Sequence, residues 1–171
     1  MNVVLVGYRG TGKSAVARAL GNKLGWPVVS TDALVEQRVG CSIARFVEVN
    51  GWPAFRAVES QTVADLADRD AIVIDTGGGA ILEPANRAAL RARGRVVWLQ
   101  ADPTTIAKRI SGDAGRPALR PGESLASEIV SVLAEREALY RASSDHHICT
   151  DVESADEVAE RIRALIADDL T

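Results

Sequence analysis

Short apolar, β-branched runs alternate along this chain with stretches in which apolar residues recur at helical spacing. The apolar runs lie at residues 3–6, 27–29, 71–74, 96–99 and 147–149. The helical patterns cover residues 13–24, 31–39, 42–50, 52–67, 84–93, 103–110, 124–141 and 154–168. Such alternation is typical of a parallel sheet covered by helices on both faces. We therefore predict an α/β fold with five parallel strands.

The composition of the runs predicts their place in the sheet. The first, third and fourth runs are apolar throughout, as expected of central strands that are buried on both faces. The fifth run carries His146 and His147, which favours an edge position. Residues that favour helix starts precede or open several helical patterns, as caps or in the first turn: Ser42, Pro84, Pro103, Ser124 and Ser154.

Length, charge and cysteine content narrow the class of protein. A chain of 171 residues has the size of one domain, here residues 1–171. The net charge of −3 and the scattered basic residues argue against a nucleic-acid partner. No apolar run approaches the roughly 20 residues of a membrane span and no signal-peptide pattern is present, so we expect a soluble, cytoplasmic protein. Cys41 and Cys149 are expected to be free thiols, at least partly buried.

The sequence GYRGTGKS at residues 7–14 fits the phosphate-binding pattern G-x-x-x-x-G-K-[ST]. It stands between the first strand and the first helix, a context that a chance glycine turn would lack. Backbone N–H groups at a helix N-terminus favour phosphate, a lysine reaches its β- and γ-phosphates and a hydroxyl binds Mg²⁺. We predict a nucleotide site, with the Ser14 hydroxyl on Mg²⁺, formed by Gly10, Thr11, Gly12, Lys13, Ser14 and Ala15.

Candidate acceptor-binding residues follow the second and third strands, because ligands in α/β sheets bind beyond the carboxyl ends of strands. Asp32 follows the second strand and would orient or deprotonate a substrate hydroxyl, or cap the next helix. The triple glycine 77–79 follows the third strand. It would present backbone N–H groups to a ligand, or serve only as a tight turn.

Arginines in two helical patterns and in one loop suggest recognition of anions. Arg56 and Arg136 would hold a carboxylate by bidentate hydrogen bonds, or lie on the surface. Residues 111–123 are rich in Gly, Pro and Arg and predict an exposed loop. With Arg116 and Arg120 this loop would act as a lid over the nucleotide phosphates, or remain a solvated loop with ordinary surface arginines.

Taken together, five separated motifs resemble the shikimate kinase family in order and spacing over essentially the whole chain. They are GYRGTGKSAVARALGNKLGWPVVSTD, CSIARFVEVNGWPAFRAVES, DTGGGAILEPANRAALRARGRVVWL, GRPAL and EREALYR. The resemblance implies a monomeric P-loop enzyme of the nucleoside-monophosphate-kinase type, with strand order 2-3-1-4-5. It implies transfer of the γ-phosphate of ATP to the 3-hydroxyl of shikimate, on the route to chorismate and the aromatic amino acids.

The resemblance also assigns the substrate-binding residues, within a helical region of about residues 31–60 and beyond it. It implies that Asp32 binds the shikimate hydroxyls and acts as a base, and that Arg56 and Arg136 hold the carboxylate. It further implies backbone contacts from Gly78 and Gly79 to the substrate.

On the nucleotide side, the resemblance implies that Arg109 lies against the adenine and that Arg116 reaches the ATP phosphates. Lys13, Asp32 and Arg116 are then the catalytic residues. Glu59 matches a carboxylate that orients Arg56.

The chain departs from the family pattern after its second strand, where Ser30 replaces an Asp that the family places near Mg²⁺. Asp75 stands at the end of the third strand, where the family often has a small residue. We hypothesise that Asp75 supplies the missing carboxylate; otherwise it only braces the glycine turn. A second departure is Trp52, which would pack on the substrate or anchor its helix.

Two other functions remain open from the sequence. One is a kinase of the same fold that acts on gluconate or another polyol. The other is a nucleotide-binding homologue without turnover, for which Ser30 is the one supporting feature.

Overall fold

The sheet has the predicted order and direction. The computed structural model describes residues 1–66, 68–111, 119–120 and 122–167. Its strands all pair in parallel, in the order β2-β3-β1-β4-β5. The five strands are β1 (Asn2–Val6), β2 (Val28–Ser30), β3 (Val73–Asp75), β4 (Gly94–Gln100) and β5 (His146–Cys149).

The described part of the chain also contains seven α-helices and one short 3₁₀ helix. The 3₁₀ helix, Ala80–Leu82, was not predicted, because three residues are too few to show a periodic pattern. The α-helices are α1 (Lys13–Leu24), α2 (Thr31–Val39), α3 (Ile43–Leu66), α4 (Pro84–Ala92), α5 (Pro103–Ile110), α6 (Leu125–Ser143) and α7 (Ala155–Leu165).

The helix starts follow the predicted signals. The Ser42, Ser124 and Ser154 hydroxyls each accept a hydrogen bond from a backbone N–H in the first turn. Pro84 and Pro103 are the first residues of α4 and α5, where a missing N–H costs nothing. The predicted ends at residues 67 and 168 lie outside the described residues.

Helix α3 consists of two segments that match the separate predictions for 42–50 and 52–67. Its backbone leaves the helical region at Gly51, with φ 80° and ψ 167°. Pro53 follows in the first turn of the second segment, a position where proline is tolerated. The break lets the first segment turn toward α2, while the second packs on the sheet.

The alternating side chains of β1 face two separate apolar layers. Val3 and Leu5 pack with residues of α1 and α7 on one face of the sheet. Val4 and Val6 pack with residues of α3, α4 and α6 on the other. The sheet is therefore covered on both faces, and β2 and β5 are its edges, as predicted for β5.

The cysteines are free, as predicted, but the expected burial is correct only for Cys41, which is partly buried. Cys149 is exposed because it lies on the edge strand β5. Across the described ranges, no helix has the length and apolar character needed to cross a membrane.

Candidate active site

The phosphate-binding loop and the glycine turn meet at the carboxyl edge of the sheet. The loop follows β1, the turn follows β3, and these strands are paired neighbours with Leu5 opposite Asp75. A Cβ placed on Gly78 would lie 3.3 Å from both the Arg9 nitrogen and the Gly7 oxygen. The two turns therefore touch, so ligands bound at each would be adjacent.

The phosphate-binding loop wraps around the side chain of Lys13. Its glycines at positions 7, 10 and 12 have φ angles of 144°, 80° and 90°, a region that other residues rarely adopt. Lys13 is 8% exposed, and its ammonium donates to the carbonyls of Gly7 and Tyr8, at 2.8 and 2.9 Å. Helix α1 has no side-chain cap, so a phosphate at its N-terminus would meet backbone N–H groups directly.

Arg109 lies beside this loop, at the end of α5. Its guanidinium donates to the Gly10 carbonyl at 3.2 Å and to the Thr150 carbonyl at 2.6 Å. The Thr150 hydroxyl in turn donates to the Thr11 carbonyl at 2.9 Å. Arg109 is thus fixed at the nucleotide side of the molecule, and its contact with adenine stays a prediction. Arg116 lies outside the described residues, as do residues 112–118 and 121 of the predicted lid.

A pocket that is partly open to solvent lies next to the phosphate-binding loop. It brings together the predicted Asp32, Arg56, Gly78, Gly79 and Arg136. The full lining is Tyr8, Arg9, Asp32, Ile43, Trp52, Phe55, Arg56, Glu59, Gly77, Gly78, Gly79, Leu119 and Arg136.

Sequence reasoning missed the contributions of Tyr8 and Arg9 to this pocket. Both lie inside the phosphate-binding motif, at positions where the pattern allows any residue. A bulky pair at unspecified positions of such a loop is the available signal. Leu119 was also missed, since an isolated leucine in a predicted loop carries no sequence signal.

Arg56 is held by a buried carboxylate and by two aromatic rings. Its guanidinium pairs with Glu59 at 2.5 Å, and Glu59 is 1% exposed. It also lies 5.3 Å from the Trp52 ring centre and 5.0 Å from that of Phe55. Trp52 therefore lines the pocket and supports the Arg56 guanidinium, and its packing on the substrate stays a prediction.

Glu59 is unusual among the carboxylates of this site. Burial raises its pKa above the usual value, although the guanidinium of Arg56 acts in the opposite direction. One carboxylate oxygen, Oε1, is buried and has no hydrogen-bond partner among the described residues. Burial of this carboxylate lowers the stability of the fold, and its ion pair with Arg56 fixes the orientation of the guanidinium.

Arg136 and Tyr140, on α6, converge on one carbonyl of the glycine turn. Arg136 donates to the Gly78 oxygen at 3.1 Å, and the Tyr140 hydroxyl donates to the same oxygen at 2.5 Å. Burial raises the pKa of Tyr140 to about 12, so its hydroxyl remains a neutral donor. The two donors fix the peptide plane between Gly78 and Gly79.

Asp32 lies in the first turn of α2 and lines the pocket. The Ser30 hydroxyl is the cap of this helix, since it accepts from the Ala33 nitrogen at 3.3 Å. The alternative in which Asp32 caps α2 is therefore wrong. A Cβ on Gly77 would lie 2.6 Å from Asp32 Oδ1 and 2.8 Å from Glu59 Oε1, so the turn passes close to both carboxylates.

The fold and the site define a class of protein. A parallel sheet with a phosphate-binding loop after its central strand is a P-loop nucleotide-binding fold. The pocket beside this loop contains arginines and a carboxylate. It is suited to a small acceptor that carries both an acid group and hydroxyls. Together these features define a P-loop kinase of a small molecule.

Comparison with known proteins specifies the family. The family model for shikimate kinase matches residues 9–167, and the chain belongs to this family. A shikimate kinase of Nitratidesulfovibrio vulgaris is 41% identical over 168 residues, covering 96% of this chain and 95% of the relative. A shikimate kinase 2 of Yersinia pestis is 37% identical, covering 98% and 97%.

Solved structures agree with this assignment. A shikimate kinase from Acinetobacter baumannii in complex with shikimate has a TM-score of 0.93 and 33% identity, and the match covers 99% of this chain and 95% of that one. A shikimate kinase from Aquifex aeolicus has a TM-score of 0.84 and 26% identity, covering 99% and 98%. The chain is an ATP-dependent kinase with an alcohol acceptor, which phosphorylates shikimate in aromatic biosynthesis with Mg²⁺ as the usual metal.

The contact between Gly79 and Arg56 generates a first prediction. A Cβ on Gly79 would overlap the Arg56 guanidinium. Because this group is the end of a long side chain, we expect it to shift while the fold is retained. Gly79 has φ −106° and ψ 2°, which alanine tolerates. We expect Gly79→Ala to raise the KM for shikimate by about tenfold, or ~1.4 kcal/mol, with the KM for ATP within twofold. Steady-state kinetics with a thermal unfolding control measure this, and an unchanged KM for shikimate would contradict the described contact.

The raised pKa of Glu59 generates a prediction about stability and pH. Native Glu59 holds its proton more tightly than unfolded Glu59, whose pKa is near 4.5. The free energy of unfolding contributed by this group is therefore lost as the pH rises from 4.5 through the native pKa. A glutamine side chain does not titrate, so Glu59→Gln has no such pH dependence. The free energy of unfolding of the wild type, relative to that of the variant, should therefore fall as the pH rises from 4.5 through the native pKa of Glu59. Urea unfolding of both proteins at several pH values tests this; a difference that grows with pH in favour of the wild type would refute it.

Proposed function

We propose that shikimate binds in the pocket between Arg56, Arg136 and Asp32, and that its 3-hydroxyl faces a γ-phosphate held by the phosphate-binding loop. The observation that carries this proposal is the contact of the two turns at Gly78, described above. It supports an arrangement in which an acceptor in the pocket lies directly beside a donor at the loop. Such proximity supplies much of the catalysis in phosphoryl transfer.

The arginines recognise the acid group of the substrate. Arg56 is pre-oriented by Glu59 and by two rings, and Arg136 is 9% exposed and anchored on the glycine turn. A guanidinium held in place loses little further rotamer freedom when it binds a carboxylate. The pocket therefore selects acceptors with a carboxylate.

Asp32 acts on the hydroxyl end of the substrate. Its carboxylate accepts hydrogen bonds from the substrate hydroxyls and orients the attacking oxygen. It also accepts the proton as the phosphorus–oxygen bond forms. The transition state of phosphoryl transfer is loose, so orientation of the hydroxyl contributes more than early removal of its proton.

Positive charge on the nucleotide side comes from Lys13, and by family resemblance from Arg116. The Lys13 ammonium neutralises charge on the β- and γ-phosphates. We assign Arg116 to the ATP phosphates and residues 111–123 to a lid that excludes water. Both assignments rest on the composition of this loop and on the resemblance, and Arg116 and most of that segment lie outside the described residues.

The residues present fit Mg²⁺, which neutralises and orients the ATP phosphates when it is bound. The described residues contain no group of three His, Cys, Asp or Glu side chains placed to hold a metal. Mg²⁺ needs few protein ligands beside water and phosphates, so Ser14 and one carboxylate suffice.

Asp75 is the carboxylate we propose for this role. It is 8% exposed, and its side chain has no hydrogen bond to any described residue. Val73, two residues earlier, packs with α1, so Asp75 shares the face that α1 covers. The turn is instead braced by Thr31, which accepts from the Gly77 nitrogen at 2.9 Å. Asp75 and Ser30 are direct partners across the β2–β3 pair, so the carboxylate occupies the strand next to Ser30.

We also propose that the chain acts as one kinase domain over residues 1–171, as a monomer in the cytoplasm. Its partners are shikimate and ATP, without nucleic acid or membrane. The acidic net charge of −3 supports the absence of a nucleic-acid partner.

The decisive experiment measures ADP formation by the purified protein with Mg·ATP, alone and with shikimate. Gluconate is the control acceptor, since it carries a carboxylate and hydroxyls on an open chain. We expect shikimate to increase the rate at least a hundredfold and gluconate to leave it unchanged. Stimulation by gluconate alone would identify a different polyol kinase, and ATP binding without stimulation by either acceptor would indicate a protein without turnover.

Asp75→Asn tests the metal assignment. We expect the Mg²⁺ concentration for half-maximal rate to rise about tenfold, because the amide lacks the negative charge. The affinity of Mn²⁺ for the ADP complex, measured by electron paramagnetic resonance, should fall by a similar factor. Asp70→Asn is a matched control, since Asp70 is exposed and pairs with the N-terminal amine. Equal metal affinity in wild type and Asp75→Asn would refute the assignment.

A further inference from the structure

One buried carboxylate outside the predicted site joins three parts of the chain. Glu128 lies in the first turn of α6 and is 2% exposed. Its Oε1 accepts from the Tyr8 hydroxyl at 3.2 Å and from Arg9 at 2.5 Å. Its Oε2 accepts from the backbone nitrogens of Leu119 and Arg120, at 2.7 and 3.1 Å.

We propose that Glu128 is a positioning residue, which sets the wall of the shikimate pocket nearest the phosphate-binding loop. Two of its partners, Tyr8 and Arg9, belong to that loop, and a third, Leu119, reaches the pocket from the other side. All three line the pocket. The inference rests on the proposed function of this pocket.

The chemistry of the four contacts requires a carboxylate. All four partners are donors, and an ionised carboxylate is the side chain that only accepts, with two oxygens to share. A glutamine at this position would turn an N–H toward one pair of donors. Glu128→Gln therefore breaks one side of the junction while it preserves size and shape.

Arg9 depends on this junction for its position. Among the described residues, Glu128 is the only carboxylate paired with Arg9. The Nε atom of Arg9 is buried and has no hydrogen-bond partner among the described residues. Arg9 also interacts with Tyr8, itself a partner of Glu128, and its guanidinium lies 5.8 Å from the Tyr8 ring centre. Loss of the carboxylate would leave a charged group in the pocket wall without a fixed orientation.

Helix α6 connects Glu128 to the opposite wall of the pocket. Arg136 lies eight residues after Glu128, about 12 Å along the helix, and donates to the Gly78 carbonyl. One helix is thus tied to the phosphate-binding loop at its start and to the glycine turn further along. Glu128 therefore fixes the distance between the cationic side chains of the two walls.

The test compares Glu128→Gln with the wild type by steady-state kinetics and by calorimetric titration of shikimate. We expect the KM and Kd for shikimate to rise at least tenfold, while the KM for ATP changes less than threefold. Glu135→Gln is the matched control. Glu135 lies on the same helix and pairs with the Arg120 side chain without touching the loop, so this variant should behave as the wild type.

A purely structural role would loosen both substrate sites together, so equal increases in the two KM values would overturn the proposal. An unchanged KM for shikimate would overturn it as well. Failure of the proposed function looks different, because the wild type itself would then show no response to shikimate.

Hydrogen exchange provides a second measurement that needs no variant. The amides of Leu119 and Arg120 should exchange at least tenfold more slowly in the wild type than in an unstructured peptide of the same sequence. In Glu128→Gln this protection should be lost, whereas Glu135→Gln should retain it. Unprotected amides in the wild type would overturn the proposal even if Glu128→Gln does not fold.

Discussion

The parallel pairing of β1 with β3 is the constraint on which the active site depends. Because Leu5 and Asp75 are partners, the turns that follow the two strands leave the sheet at the same level. Their backbones approach so closely at Gly78 that a side chain there would press on the phosphate-binding loop. A shift of this register by one residue would separate the donor from the acceptor and turn Asp75 away from α1. The proximity of the donor and acceptor sites in this kinase thus depends first on the pairing of β1 with β3, and only then on individual side chains.

Buried acids hold the cations of the pocket in place. Glu59 fixes Arg56 and Glu128 fixes Arg9, and each acid is almost fully buried. Such pairs contribute little net stability, since removing the charges from water offsets their attraction. What they provide is orientation: the guanidinium groups are set before the anion arrives. The site therefore accepts a cost in folding free energy in exchange for pre-organised recognition.

The parts of the site that the sequence could predict are those with local signals. The phosphate-binding loop and Asp32 with its glycine turn follow from contiguous motifs and the α/β pattern, whereas the strand order follows from the family resemblance. Glu128 could not be predicted in this way, because its partners lie 8 to 120 residues away and their meeting depends on tertiary packing. The capping role of Ser30 was missed for a subtler reason. An Asp two residues later competed for the same role, and only geometry distinguishes the two.

The aromatic support of Arg56 has an optical consequence. Trp52 forms part of the pocket wall and lies in an edge-to-face contact with Phe55, 5.6 Å between ring centres. Indole emission responds to nearby charge and to water. When an anion binds the adjacent Arg56 guanidinium, the charge and the hydration around Trp52 both change. The other two tryptophans pack elsewhere, Trp26 against the α1 layer and Trp98 within the opposite layer. Occupancy of the acceptor site is therefore readable from the protein's own fluorescence, with Trp52 as the indole in the pocket wall.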